Sequence, residues 1–69
     1  MPETTVELSP REREIATLVA KGKLNPEISR ATGLAAIKVK EYVDGMCRKI
    51  PGVRTRAELG AWASRQGWV

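Results

Sequence analysis

The side chains best suited to chemistry lie in one stretch of the chain, residues 36–50. Lysines, an arginine and two acids recur there at spacings that place them together on one face of a helix that turns about 100° per residue. The residues on or beside this face are Ile37, Lys38, Lys40, Glu41, Asp44, Gly45, Arg48 and Lys49. A face of this kind offers positive charge and hydrogen bonds to a polyanion, so the pattern favours a nucleic-acid partner.

Catalysis and metal binding are not indicated by the remaining residues. The 69 residues include a single cysteine, Cys47, and no histidine, so neither an internal disulfide nor a Cys/His zinc site can be assembled. The sequence also lacks a nucleophile–base pair and a glycine loop of the phosphate-binding kind. We therefore predict a protein that is not an enzyme and needs no cofactor.

Composition indicates one small basic domain. Apolar residues make up 42% and charged residues 29% of the chain, which is typical of a globular protein. The net charge is +4, and the pI of about 9.7 favours polyanionic partners. The sequence shows no membrane span and no signal peptide, so we expect a cytoplasmic, nucleoid-associated protein.

Two secondary structures compete for residues 36–50. A helix would align Val39, Val43, Met46 and Ile50 as one apolar stripe without a charged member. The alternative is a β-hairpin, because residues 37–40 alternate apolar and polar and an Asp-Gly pair follows at residues 44–45. The hairpin would put a glutamate among the apolar side chains of its first strand, so we favour the helix.

Capping signals predict two helices before this stretch. Ser9 and Glu12 form a capping box with a proline between them, at the first helical position. Asn25 is a capping residue and is likewise followed by a proline, Pro26. Gly33 ends the second helix, and the short turn after it has the spacing of a helix-turn-helix.

A last helix is predicted after Pro51 and Gly52, with Thr55 and Glu58 as a second capping box. Its inward stripe is Leu59, Trp62 and Ala63. Its other side carries small residues that would let another helix approach closely, namely Ala57, Gly60, Ala61 and Ser64. Gly67-Trp68-Val69 follows this helix and is expected to form an exposed apolar end.

The predicted fold is therefore all-α with four helices. Their expected bounds are about 10–21, 26–32, 36–50 and 56–66. Residues 1–7 are short, polar and aperiodic, and are expected to form a flexible arm ahead of a domain over 8–69.

Several segments of the sequence, taken in order, resemble the LuxR/FixJ/GerE DNA-binding domain. They are Leu8-Ser9-Pro10-Arg11-Glu12-Arg13-Glu14-Ile15, Gly22, Asn25, Glu27-Ile28, Val39-Lys40, Arg48-Lys49-Ile50 and Gly52-Val53-Arg54-Thr55-Arg56-Ala57-Glu58. The resemblance covers residues 8 to about 64. It implies a four-helix LuxR/GerE-type helix-turn-helix domain, with the third helix in the major groove of double-stranded DNA and the fourth forming a homodimer. It also suggests a stand-alone, GerE-like member of the family.

The resemblance places base-reading positions on Lys40, Glu41 and Asp44, and Ile37 is suited to contact a thymine methyl group. The alternative for Lys40 is an i,i+4 ion pair with Asp44 on a solvated face. Candidate phosphate contacts are Lys38, Arg48, Lys49, Arg54, Arg56 and Asn25. Two departures from the family stand out: Ala35-Ala36 replaces the usual Ser or Thr before the third helix, and Pro51 is an extra residue.

Two classes of function follow from these observations. The first is a homodimeric, sequence-specific DNA-binding transcriptional regulator with residues 36–50 as its recognition helix. The second is a protein-interaction helix-turn-helix module that binds RNA polymerase or another transcription factor. A third possibility is a domain resembling sigma-factor region 4, which shares the helix-turn-helix pattern and would have to associate with RNA polymerase. The two acids on the third helix favour the protein-interaction module.

Overall fold

This computed structural model describes residues 7–68, which contain four α-helices. They are α1 (Pro10–Ala20), α2 (Asn25–Thr32), α3 (Ala36–Lys49) and α4 (Arg56–Arg65). Residues 7–68 contain no strand, so the all-α fold is confirmed and the hairpin alternative for residues 36–50 is wrong. The arm predicted over residues 1–7 lies outside the described residues apart from Glu7.

The capping boxes of α1 and α4 form as predicted. The Ser9 hydroxyl accepts from the Glu12 amide at 3.1 Å, and the Glu12 carboxylate accepts from the Ser9 amide at 2.9 Å. Thr55 and Glu58 repeat this exchange at the start of α4, with both distances 3.1 Å. Each box satisfies amides that a helix start leaves without backbone partners.

The start of α2 differs from the prediction. Its N-cap is Leu24, whose extended backbone places Asn25 inside the first turn, and leucine has no side-chain acceptor. Only the reverse half of a box is present, because the Glu27 carboxylate accepts from the Leu24 amide at 2.8 Å. The prediction that Asn25 caps this helix is therefore wrong, and its side chain is available for another partner.

One core lies between the helices and includes the whole apolar stripe of α3. Its buried members are Ile15, Ala16, Val19, Ile28, Val39, Val43, Met46, Ile50, Val53, Leu59 and Ala63. α1 packs most extensively against α4 and also contacts α2 and α3, while α3 packs against each of the other helices. The outer face of α3 is consequently held in a fixed direction by the burial of its inner face.

Side-chain hydrogen bonds fix the turn between α2 and α3. Gly33 takes φ = 79°, a left-handed conformation that glycine adopts without a steric penalty. The Thr32 hydroxyl donates to the Ile28 carbonyl at 2.8 Å and accepts from the Leu34 amide at 3.3 Å. The Ser29 hydroxyl donates to the Leu34 carbonyl, and Leu34 itself packs against the core. The turn therefore holds the angle between the two helices.

The glycine on α4 lies on the opposite side from the one predicted. Gly60 is buried, and a Cβ built on it would lie 3.4 Å from the Ala20 Cα and 3.5 Å from the Val19 carbonyl oxygen. The placement of Gly60 in an exposed strip of small residues is therefore wrong, because Gly60 packs against Val19 and Ala20 of α1. The remaining members of that strip are exposed: Ala57, Ala61 and Ser64.

The end of the described chain folds back onto the domain. Gly67 has φ = 82°, and after it the Trp68 ring meets Trp62 edge to face with ring centroids 5.3 Å apart. The Arg13 guanidinium carbon lies 4.6 Å from the centroid of the Trp68 ring, which is a cation–π contact. Trp68 is half-buried against the core, so the prediction that it is an exposed end is wrong.

Candidate nucleic-acid interface

The outer face of α3 is open to solvent. Ile37 is 62% exposed even though it is apolar, and Lys38, Lys40 and Glu41 are exposed with it. Arg48 and Lys49 are exposed near the C-terminal end of the helix, while Asp44 and Gly45 are half-buried along its middle. A Cβ added at Gly45 would meet nothing within 4 Å, so this part of the face has room for a close partner.

Two ion pairs lie along this face. The Lys40 ammonium is 2.9 Å from the Asp44 carboxylate, and the Lys38 ammonium is 3.3 Å from the Glu41 carboxylate. These four side chains are between 48% and 63% exposed. Pairs of this kind at i,i+3 and i,i+4 contribute only about 0.2–0.5 kcal/mol each. Such pairs open when one of their side chains meets a stronger partner, and each open pair leaves a carboxylate beside the lysine.

Lys49 has a partner on another helix. Its ammonium is 3.0 and 3.1 Å from the two carboxylate oxygens of Glu12, whose side chain is 17% exposed. The pKa of Glu12 is lowered from its ordinary value, first by the hydrogen bond from the Ser9 amide and then by Lys49. The pair joins the end of α3 to the start of α1. Sequence reasoning identified Glu12 only as a capping residue, because nothing local indicates a partner 37 residues away.

Asn25 and Arg56 form a second link between elements. The Arg56 guanidinium donates to the Asn25 side-chain oxygen and to the Lys23 carbonyl. Arg56 is half-buried and ties the start of α4 to the turn that precedes α2. Both residues were predicted to contact phosphate, and the structure gives their side chains this intramolecular contact.

Arg48 and Arg54 share a surface hollow. It has a volume of about 360 Å³ and is lined by these two arginines together with Asp44 and Cys47. Neither arginine has an ion-pair partner among residues 7–68. Two guanidinium groups beside one open hollow can bind a phosphate group, because arginine presents a planar set of donors that fits phosphate oxygens.

Cys47 lines the same hollow but is not activated. Burial raises the pKa of its thiol, and the carboxylates of Asp44 and Glu58 raise it further. The thiol therefore stays protonated at neutral pH, which is the unreactive form. Cys47 thus serves as a small apolar residue packed partly against the core.

The start of α3 has no side-chain cap. Ala35 occupies the N-cap position, and only its carbonyl takes part, accepting from the Lys38 and Val39 amides at 2.9 and 3.1 Å. The first-turn amides of the helix are thus without the hydroxyl that a serine or threonine would supply. Amides in this position can bind an anion such as a phosphate group.

Within residues 7–68, no three Cys, Asp or Glu side chains come together as potential metal ligands. None of the described helices is both long and apolar enough to cross a bilayer.

Taken together, these features define a class of domain. Two helices joined by a glycine turn, with the second presenting a solvent-exposed polar face and held by a four-helix core, form a helix-turn-helix domain of the nucleic-acid-binding type. The family described as bacterial regulatory proteins of the luxR family, or GerE, matches residues 6–63. The chain belongs to this family, which confirms the resemblance found in its sequence.

Two relatives illustrate the match. The chain is 37% identical over 49 residues to the transcriptional activator protein CarR of Pectobacterium carotovorum subsp. carotovorum, covering 71% of this chain and 20% of the relative. It is 33% identical over 60 residues to the nitrate/nitrite response regulator protein NarL of Escherichia coli K12, covering 87% of this chain and 27% of the relative. The chain thus spans about a quarter or less of the length of these relatives. No solved structure matches it significantly.

Proposed function

We propose that this domain is a sequence-specific, double-stranded DNA-binding transcriptional regulator that inserts α3 into the major groove. The observation that supports this most strongly is the exposed polar face of α3, held outward by a fully buried apolar stripe. Membership of the luxR family of regulatory proteins and similarity to a transcriptional activator and a response regulator add support. Such a protein would act in the bacterial cytoplasm, at the nucleoid.

Base recognition is assigned to the middle of the α3 face. Lys40 is suited to donate to guanine, and the carboxylates of Glu41 and Asp44 can accept from the amino group of cytosine. Ile37 can contact a thymine methyl group. The exposure of Ile37 favours this role over packing against α2, the alternative for an apolar side chain on a polar face.

Phosphate contacts are assigned to Lys38, Arg48 and Arg54. The two arginines share one hollow near the C-terminal end of α3, which supports assigning both to contacts with the DNA backbone beside the groove. Lys49, Asn25 and Arg56 are proposed instead to be positioning residues. Their side chains make intramolecular contacts that set how α3 and α4 are presented.

Dimerisation is proposed to use the exposed small residues of α4. Ala57, Ala61 and Ser64 lie on its outer side, where they would let a second copy of α4 approach closely. A homodimer would place two copies of α3 on successive half-sites of a palindromic operator.

The proposal is tested by titrating a fluorescent duplex with the protein at two salt concentrations. Operator-containing DNA, obtained by selection from a random pool, is compared with a scrambled duplex. We expect binding at low salt that weakens steeply as salt rises, because each neutralised phosphate contributes a slope of about −0.9 in log K against log salt. No binding to either duplex at low salt would refute the proposal.

Three variants separate the assigned roles in the same titration. Lys40→Ala should reduce the preference for the operator, whereas Arg54→Ala should weaken both duplexes alike and lower the salt slope by about 0.9. Lys21→Ala, on the exposed end of α1, removes the same charge away from α3 and serves as the matched control. Unchanged discrimination in Lys40→Ala would show that the base contact is wrongly assigned.

A protein-interaction module is the second candidate, and the acids of α3 favour it. Glu41 and Asp44 offset two of the four cationic side chains of α3, and they pair with Lys38 and Lys40. The partner would be RNA polymerase or another transcription factor. A pull-down after nuclease treatment tests this candidate, since a partner retained without DNA supports it and loss of the partner on DNA digestion argues against it.

A further inference from the structure

Most of the positive charge on α3 is already matched by a carboxylate. The helix carries four cationic side chains, Lys38, Lys40, Arg48 and Lys49. The three lysines pair with Glu41, Asp44 and Glu12. Within the described part of the chain, Arg48 is the cation of α3 without such a partner. The recognition helix therefore presents far less free positive charge than its sequence suggests.

Non-specific affinity for DNA depends on free positive charge. A lysine that contacts phosphate releases condensed counterions from the DNA, and this release contributes affinity that is independent of the DNA sequence. A lysine already paired with a carboxylate must break that pair first, and the freed carboxylate then repels the phosphates. Glu41 and Asp44 compete with phosphate for Lys38 and Lys40, and remain beside them because they lie on the same helix.

The same acids have a favourable partner at the correct sequence. In the major groove, the cytosine N4 amino group donates a hydrogen bond, and Asp and Glu side chains can accept it. When a carboxylate accepts a hydrogen bond from a cytosine, the lysine that was paired with it becomes free to bind a neighbouring guanine or a phosphate. Because both ion pairs are solvent-exposed and weak, this exchange is feasible in a correctly paired site.

We propose that Glu41 and Asp44 are specificity-determining residues that suppress non-specific DNA binding by holding Lys38 and Lys40 as internal ion pairs, and that the pairs open on operators with cytosine at the positions facing them. This inference rests on the proposed DNA-binding function and assigns the acids a role within it. It also accounts for acids on a helix that approaches a polyanion.

The test uses Glu41→Gln, Asp44→Asn and the double variant, each titrated against a random duplex and the selected operator over a range of salt. Each variant keeps the side-chain size and removes one or two carboxylates. We expect random-duplex affinity to rise about twofold per freed lysine, and the salt slope to steepen by about 0.9 for each. Affinity for the operator should rise less than affinity for the random duplex. The ratio of operator affinity to random-duplex affinity should therefore fall.

Glu14→Gln is the matched control. Glu14 pairs with Arg11 at 3.2 Å in an i,i+3 arrangement on α1, so the variant makes the same charge change in the same kind of pair outside α3. It should leave the affinity ratio unchanged. Circular dichroism of every variant verifies that the helices are intact.

The outcomes separate this inference from the function on which it rests. If the parent binds DNA but the α3 variants leave random affinity and salt slope unchanged, the inference is overturned and the proposed function stands. Equal gains in Glu14→Gln and Glu41→Gln would also overturn it, because net charge alone would then explain the effect. If neither the parent nor any variant binds either duplex, the proposed function fails as well.

Discussion

At the scale of single residues, Glu12 shows how one side chain can serve two parts of the fold. Its carboxylate accepts from the Ser9 amide, which completes the capping box of α1, and also pairs with Lys49 at the end of α3. The first contact starts a helix and the second joins that helix to the proposed recognition helix. The orientation of the outer face of α3 therefore depends in part on a residue outside that face.

The charge of Glu12 should stabilise the protein at neutral pH. Glu12→Gln keeps an oxygen that can accept from the Ser9 amide but removes the charge, so we expect a loss of about 0.5–1 kcal/mol in the free energy of unfolding. Urea unfolding at pH 7 measures this loss. Glu14→Gln, in an exposed pair on the same helix, should change it by less than about 0.5 kcal/mol.

The pH dependence of this effect has a definite sign. The pKa of Glu12 is lowered from 4.5 on folding. Its contribution is therefore fully present above about pH 4.5 and is lost as the pH falls through the lower folded value. The free energies of unfolding of the parent and of Glu12→Gln should therefore become equal once the pH is below the folded pKa of Glu12. A difference that persists unchanged in acid would contradict the electrostatic explanation.

The sequence predicted residues whose roles depend on near neighbours. Ser9, Thr55 and their glutamates cap helices as expected, since a capping box spans only four residues. Asn25 and Lys49 have partners 31 and 37 residues away, which only the packed fold brings close. Local pattern could not distinguish their intramolecular contacts from contacts with a phosphate.

At the scale of elements, the packing of α4 on α1 determines which side of α4 is free. Gly60 lies against Val19 and Ala20, whereas Ala57 and Ala61 are exposed. Hydrophobic periodicity predicted the inward stripe of α4, but a glycine has no side chain to indicate its direction. The sequence therefore predicts one strip of small residues, whereas the structure divides them between two sides.

Two substitutions at Gly60 test this arrangement. Gly60→Ala adds one Cβ at ordinary contact distance and should be neutral or stabilising by up to about 1 kcal/mol, because alanine is the better helix former. Gly60→Leu adds a side chain for which there is no space beside α1, so it should lower the free energy of unfolding by about 1–3 kcal/mol. Thermal unfolding measures both variants. Full tolerance of leucine would show that the two helices are not as close as described.

At the scale of the whole molecule, the domain has two free surfaces with different proposed partners. The outer face of α3 is polar and faces DNA in the proposal, while the outer side of α4 is small and is assigned to a second copy. The sequence predicted the four-helix fold because caps, stops and apolar stripes agreed. It could not predict that Trp68 folds back onto Trp62 and Arg13, because an isolated terminal aromatic has no periodicity.

Dimerisation through α4 is tested by the mass of the protein in solution. The parent should show a mass that rises with concentration toward twice 7.6 kDa in sedimentation equilibrium. Ala61→Glu should remain monomeric, because it puts two like charges at the proposed contact. Ala31→Glu, the same change at an exposed alanine of α2, should behave as the parent does. A parent that is monomeric at every concentration would contradict the α4 dimer.

Contact between the outer face of α3 and DNA can be tested directly by nuclear magnetic resonance mapping with ¹⁵N-labelled protein. Amide shifts are followed as a short duplex is added at low salt, and a chain of 69 residues is small enough for every amide to be resolved. We predict the largest changes in α3 and around Arg54, with little change on the outer side of α4 at Ala61. Changes confined to α4, or none at saturating duplex, would contradict the claim.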